Sequence, residues 1–252
     1  AQQKAPAVLP PRTTALPHAL DDLQQTIQRY QRPVRRAAEI AKAVREHESD
    51  RPFTRAVAVV GVPTCAGQPL KGAEDGAKIA RERGLLKQIR AVGHDAIDCG
   101  DIDVRPAHPD DPVSYSTCGK IIKNSVEVGR TCRLLFEQTV ALKMQGQLPV
   151  VVGGDHSIAG GSVASALHMD PDVGVLWVDA HADLHTPESS PSMNMHGMPL
   201  SFLMGLADPC SVAGLEWMGN YKVPVLKPSR LVCNRAPCTA VAVKAGPAIV
   251  RS

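Results

Sequence analysis

Pro149-Val150-Val151-Val152-Gly153-Gly154-Asp155-His156-Ser157 is the stretch that decides the fold. A short β-branched run stops on two glycines and delivers an aspartate and a histidine. Continuous apolar runs of this length, bounded by glycine, are the mark of strands buried on both faces. Ala56-Val57-Ala58-Val59-Val60 ends the same way at Gly61, and Val173–Val178 runs into Asp179-Ala180-His181-Ala182-Asp183. Ala96–Cys99 is a further short strand, followed by a Pro/Asp-rich loop over Val104–Tyr115. Between the strands lie helical patterns. Glu74–Val92 places Ile79, Leu86 and Ile89 on one face, and Lys120–Gln145 does so with Val128, Cys132, Leu135, Thr139 and Leu142. Ile158–His168 is a third helix. Alternating strands and helices predict a three-layer α/β/α domain on a parallel sheet. Ligands of such sheets sit beyond the carboxyl ends of the strands, where both His156 and the Asp179 cluster arrive. After Gly205 the pattern weakens to one more strand at Arg230-Leu231-Val232, and 233–252 has no assignable periodicity.

Composition narrows the possibilities. Length (252 residues) suits one large α/β domain, which would bury about 70–75% of its unfolded surface. With three Phe, three Tyr and two Trp, the core is expected to be aliphatic. A net charge of +3, with no basic block interleaved with aromatics, gives no footprint for nucleic acid. No apolar run approaches the roughly 18–20 residues of a membrane span. The seven cysteines are scattered without a C-x-x-C pair; several lie in apolar strands or helices and read as small buried apolar residues, which fits a reducing compartment. Ala1–Arg55 reads as a leader: its first 20 residues hold Lys4, Arg12 and four prolines but no acid. That pattern fits a disordered tail or an organelle transit peptide, hence a cytoplasmic or a mitochondrial protein. The chain begins at Ala1 rather than Met, as a fragment or a processed chain would.

Five of the nine histidines fall between His156 and His196, among carboxylates. Asp179, His181 and Asp183 alternate, and a strand period would put all three side chains on one face. A structural alternative has Asp179 capping a turn and His181 satisfied in the core. Converging carboxylates in a partly dry pocket repel, and a divalent cation removes that cost. With no cysteine nearby, the N/O donor set suits Mn²⁺ or another six-coordinate ion, with Zn²⁺, Co²⁺ and Ni²⁺ also permitted.

Gly67-Gln68-Pro69, Gly100-Asp101-Ile102, Gly153–Ser157, Asp179–Asp183, Thr186-Pro187 and Ser192-x-Asn194-x-His196-Gly197-x-Pro199 together resemble arginase. The likeness runs from about Ala56 to Gly205. The spacing from Asp183 to His196, with Thr186-Pro187 and Ser192-x-Asn194 inside it, is more similar to arginases than to agmatinases. The resemblance implies manganese-dependent hydrolysis of L-arginine to L-ornithine and urea on a binuclear centre. It implies His156, Asp179 and Asp183 as ligands of one Mn²⁺, and His181 as a ligand of the second with Asp179 bridging. His196 takes the place of the proton-shuttling catalytic histidine. Ser192 and Asn194 match residues that hold the amino-acid end of the substrate. His185 stands at a substrate-binding position where the family usually has asparagine. The family also implies a homo-oligomer, with no nucleic-acid or membrane partner.

Downstream the chain departs from that pattern. The family's later Asp-x-Asp motif and a following glutamate are missing: after Asp183 there are only Asp208, Glu188 and Glu216. The expected centre is therefore mononuclear or loosely loaded, and activity impaired. Two alternatives follow: a non-catalytic isoform that binds full-length subunits, and a related ureohydrolase of the agmatinase type. The domain is expected to span 56–232, lack its C-terminal strands and helices, and be poorly soluble through its uncovered sheet edge. Pro228-Ser229-Arg230-Leu231-Val232 still resembles a family strand that normally continues aromatic-Ile-Gly-Leu-Arg. Here Cys233-Asn234-Arg235-Ala236-Pro237-Cys238 follows. Codons AAT-AGG-GCT-CCG-T encode Asn-Arg-Ala-Pro, and one base later they read Ile-Gly-Leu-Arg. Residues 233–252 are thus expected to be a shifted reading frame. Sequencing the transcript across codon 233 should reveal the shift; an unshifted frame there would refute it.

Overall fold

A computed structural model describes residues 56–235 and 241–243. The leader expected over Ala1–Arg55 and most of the tail after Arg235 lie outside the described residues. Strand β1 (Ala56–Val62) is buried at every position but its first, as its β-branched run requires. It is the centre of a parallel sheet, flanked by β2 (Asp95–Asp101) and β5 (Leu148–Gly153). Past the end of β2, buried Ile102 returns to β1 by donating its N–H to Gly61 O at 2.9 Å.

The helix expected over Glu74–Val92 is two helices, α1 (Gly76–Glu82) and α2 (Leu85–Ala91), broken at Gly84. Gly84 has φ +84°, a left-handed conformation that ends one helix and starts the next. Ile79 is exposed, and the buried contact of α1 is Ala77 instead. The long helix also starts later than its pattern suggested. Ile121-Ile122 forms β4, antiparallel to β3 (Ser114–Tyr115), and Asn124 turns the chain at φ +53° into α3 (Ser125–Met144). Inside α3 the expected stripe holds, with Val128, Cys132, Leu135, Thr139 and Leu142 all buried.

Helix α4 (Ala159–Met169) follows β5, and β6 (Val175–Asp179) follows α4. The chain then builds α5 (Pro199–Leu203), α6 (Trp217–Asn220), β7 (Leu231–Arg235) and β8 (Val241–Val243). The architecture is α/β with parallel strands and flanking helices, but β5 and β6 are not hydrogen-bonded neighbours. Instead β6 centres a second sheet, parallel to β7 on one side and antiparallel to β8 on the other. Among the described residues no helix is long and apolar enough to cross a membrane.

The core is mostly Val, Leu, Ile and Ala, as composition suggested, with a few aromatics gathered at one seam. Phe136 of α3 packs on Trp217 and Tyr221 at ring-centroid distances of 5.1 and 4.8 Å, and Met193, Met195, Met198 and Met218 fill the surrounding space. Concentrating scarce aromatics at one seam gives each of them a large buried area. Of the cysteines with described side chains only Cys132 is buried, while Cys118 and Cys210 are exposed. Burial, with the nearby Asp155 charge adding to it, pushes the Cys132 thiol up to about 12, so it serves as packing. Helices α3 and α4 touch where a Cβ on Gly161 would strike the Cys132 backbone, whereas one on Gly160 would meet only Cys132 Sγ at 3.5 Å. Replacing glycine by alanine in a helix gains roughly 0.5–1 kcal/mol, and overpacking costs roughly 1–3 kcal/mol. Gly161→Ala should therefore lower the urea midpoint and Gly160→Ala should hold or raise it; equal midpoints would show that the helix contact yields.

Candidate metal centre

The site is assembled at the carboxyl ends of β1, β5 and β6. At the end of β5, Gly154 takes φ +43°, and a Cβ there would press on Val62 O and Thr64 O at 2.5 and 2.7 Å. Only glycine lets the strand end pass so close to the loop after β1. Asp155 then caps a 3-10 turn, His156–Ile158, by accepting the Ser157 N–H at 2.9 Å. Its other oxygen accepts the Gly67 N–H at 2.8 Å. His156 opens the turn with its ring stacked on Trp177 of β6, centroids 4.5 Å apart and planes inclined by 30°.

His156 Nδ1 lies 2.8 Å from Asp179 Oδ2 and 2.7 Å from Asp183 Oδ2. The donor atoms of these three residues all lie within 4.8 Å of one another, and both carboxylates are buried. Two like charges about 5 Å apart repel by about 3 kcal/mol at an effective dielectric constant near 20. One imidazole cannot balance two carboxylates, whereas a divalent cation can. Nitrogen-to-oxygen separations of 2.7–2.8 Å approach the ~3 Å spacing that ligand bonds of ~2.1 Å make at right angles. The trio thus fits one divalent ion in an N/O environment.

The chain reaches Asp183 by a different path from the one its alternation implied. Strand β6 stops at Asp179, whose Oδ1 accepts the His181 N–H at 2.9 Å and bends the backbone. Asp183 returns to the trio in the left-handed region at φ +47°, where aspartate is tolerated. His181 is consequently turned outward, its side chain 82% exposed and its Nδ1 3.6 Å from Asp179 Oδ1. The structure brings His156, Asp179 and Asp183 together and leaves His181 outside that group. The turn-capping role open to Asp179 is realised alongside its place in the trio.

The loop 193–198 and the start of α5 are stitched to the site through their backbone. His196 N–H donates to Gly67 O at 3.0 Å, His185 N–H to Gly197 O at 3.0 Å, and Leu200 N–H to Asp183 O at 3.1 Å. His196 is partly buried and Asn194 buried, while Ser192 and His185 are exposed. Ser192 Oγ accepts the Asn194 N–H at 3.3 Å, and His185 Nδ1 lies 3.3 Å from Ser189 Oγ. None of these side chains hydrogen-bonds to the trio among the described residues. The later carboxylates are engaged elsewhere: Asp208 caps a turn through Cys210 N–H at 2.9 Å, and Glu216 accepts Gly214 N–H at 2.8 Å. Glu188 is exposed. Sequence reasoning missed Asp155 as the capping carboxylate and Trp177 as the surface under His156. The first had a signal in its position before a polar turn opening a helix, Asp155-His156-Ser157. The second, an aromatic within an apolar strand, gave none.

Comparison with known proteins gives this geometry its relatives. The Arginase family model matches residues 55–233. Arginase-1 of Xenopus laevis is 41% identical over 164 residues, 64% of this chain and 50% of the relative. Arginase-1 of Homo sapiens is 37% identical over 151 residues, 60% and 45% respectively. The solved arginase from Bacillus caldovelox superposes with a TM-score of 0.62 at 32% identity, over 71% of this chain and 57% of that one. The chain spans about half the length of the curated relatives it matches. A match over most of the chain, with a fold and a strand-end site to accompany it, makes this chain a member of the arginase family.

Proposed function

We propose that this chain carries the metal-anchoring part of an arginase-type site that hydrolyses L-arginine to L-ornithine and urea, and that alone it does so poorly. The observation behind this reading is the convergence of His156, Asp179 and Asp183 on one locus at the strand ends. These residues would hold a Mn²⁺ ion. When bound, that ion supplies a Lewis acid that makes water a nucleophile near neutral pH. Trp177 and the Asp155-capped turn fix the His156 ring against rotation. His196 delivers a proton to the leaving amine. Asn194, Ser192 and His185 bind the amino-acid end of the substrate. At His185 an imidazole stands where the family has asparagine; it still donates a hydrogen bond but is bulkier, which weakens that grip. His181 would serve as a ligand for a second ion, with Asp179 shared, and its exposed ring would hold that ion loosely. The compartment is the cytosol or the mitochondrion, and the family's homo-oligomer is weakened in this chain.

No carboxylate beyond Asp183 joins the trio among the described residues, which favours impaired turnover and keeps open a role as a non-catalytic partner of full-length subunits. Loss of one electrostatic contact to the reacting group costs about 10²–10³ in rate. Titrating Mn²⁺ into the purified chain should show binding by calorimetry, with urea release from arginine at least about 10²-fold below an intact arginase. Turnover near that of an intact enzyme would overturn this reading, and faster release from agmatine than from arginine would shift it to an agmatinase type. Asp183→Asn should weaken Mn²⁺ binding at least about tenfold, while His181→Ala leaves the first binding event nearly unchanged. A larger loss for His181→Ala would place the anchoring site at His181 instead.

A further inference from the structure

Asp155 is 5% exposed, stands outside the His156, Asp179 and Asp183 trio and has no cationic partner among the described residues. Its carboxylate faces two backbone donors: Oδ1 accepts the Ser157 N–H at 2.9 Å and Oδ2 the Gly67 N–H at 2.8 Å. Its own N–H donates to Thr64 O at 3.0 Å. The Gly67 carbonyl in turn accepts the His196 N–H at 3.0 Å. One side chain is thus joined to the turn that presents His156 and, through a single residue, to the loop that presents His196.

We infer that Asp155 is a positioning residue that sets the backbone of two of the site histidines, clamping the 3-10 turn of His156 directly and the loop of His196 by way of Gly67. The chemistry of the side chain supports this assignment. Two N–H groups converge on it, and a carboxylate accepts on both arms, whereas an amide of the same shape would turn an NH₂ toward one of them. Hydrogen bonds to a charged acceptor are also the stronger kind. The absence of a side chain on Gly67 belongs to the same clamp. A Cβ there would run into Asp155 Oδ1 and come within 2.7 Å of Ser157 Cβ and Oγ. The loop can therefore approach the carboxylate only as glycine.

The role of His196 in proton transfer rests on the arginase reading, but the clamp on its backbone does not. The test is amide hydrogen exchange on the full chain, comparing Asp155→Asn and Gly67→Ala with the parent. Both should accelerate exchange at Gly67 and at His196 about tenfold or more, the scale of a lost bond to a charged acceptor. Ala164 in α4 should keep its parental rate. Acceleration at His196 is the diagnostic result, because that amide touches neither substituted side chain. An unchanged His196 amide in both variants would overturn the inference, as would an equal rise at Ala164, which would mean general loosening. Should Asp155→Asn fail to fold, Gly67→Ala decides by the same criteria. Exchange is read without substrate, so the expected pattern in a chain that releases no urea would uphold the clamp while the catalytic reading falls.

Discussion

Two carboxylates, Asp179 and Asp183, converge on one nitrogen of His156, and much of the structure can be understood as what makes that convergence tolerable. The residues come from different strand ends, so their meeting fixes how the two sheets present their carboxyl edges. That link matters because β5 and β6 share no hydrogen bonds. The ladder of an open sheet normally holds neighbouring strand ends in register. Here contacts at the strand ends do part of that work: the His156 contacts, the stacking on Trp177, and the backbone bonds that tie the loop 193–198 to Gly67 and α5 to Asp183. A cation in the trio would convert a repulsive junction into an attractive one at the point where the sheets depend on it.

The sequence was most legible where periodicity and geometry coincide. The run through Val57, Val59 and Val60 could only be a doubly buried strand, and the stripe from Val128 to Leu142 only a helix face. It was least legible where one residue changes the path of the backbone. Gly84 splits a helical pattern that looks continuous, and Asn124 postpones a helix whose first residues become a strand. Composition foretold the aliphatic core but not that a few aromatics would gather around Phe136.

At the site, the resemblance named the residues and the backbone then sorted them. His156, Asp179 and Asp183 are read from strand ends and motif and are found together. His181 illustrates the limit of a period-two reading: it holds only while the strand continues, and the strand stops at Asp179 because that side chain bonds the His181 N–H. Nothing in the spacing of Asp179, His181 and Asp183 announces the bend. No Asp-x-Asp follows Asp183 in the sequence, and the structure adds that Asp208 caps a turn through the Cys210 N–H while Glu216 accepts the Gly214 N–H.

The placement of the two tryptophans has an optical consequence. Trp177 lies under the ring of His156, while Trp217 sits with Phe136 and Tyr221 in the helical seam. The indoles therefore see different events. Emission from Trp177 responds to whatever the stacked imidazole binds, and a paramagnetic ion seated there would quench it at short range. Trp217 follows the integrity of the helical layer. With no other tryptophan in the chain, replacing either one by phenylalanine leaves a single fluorophore, one version reporting on the centre and the other on the packing behind it.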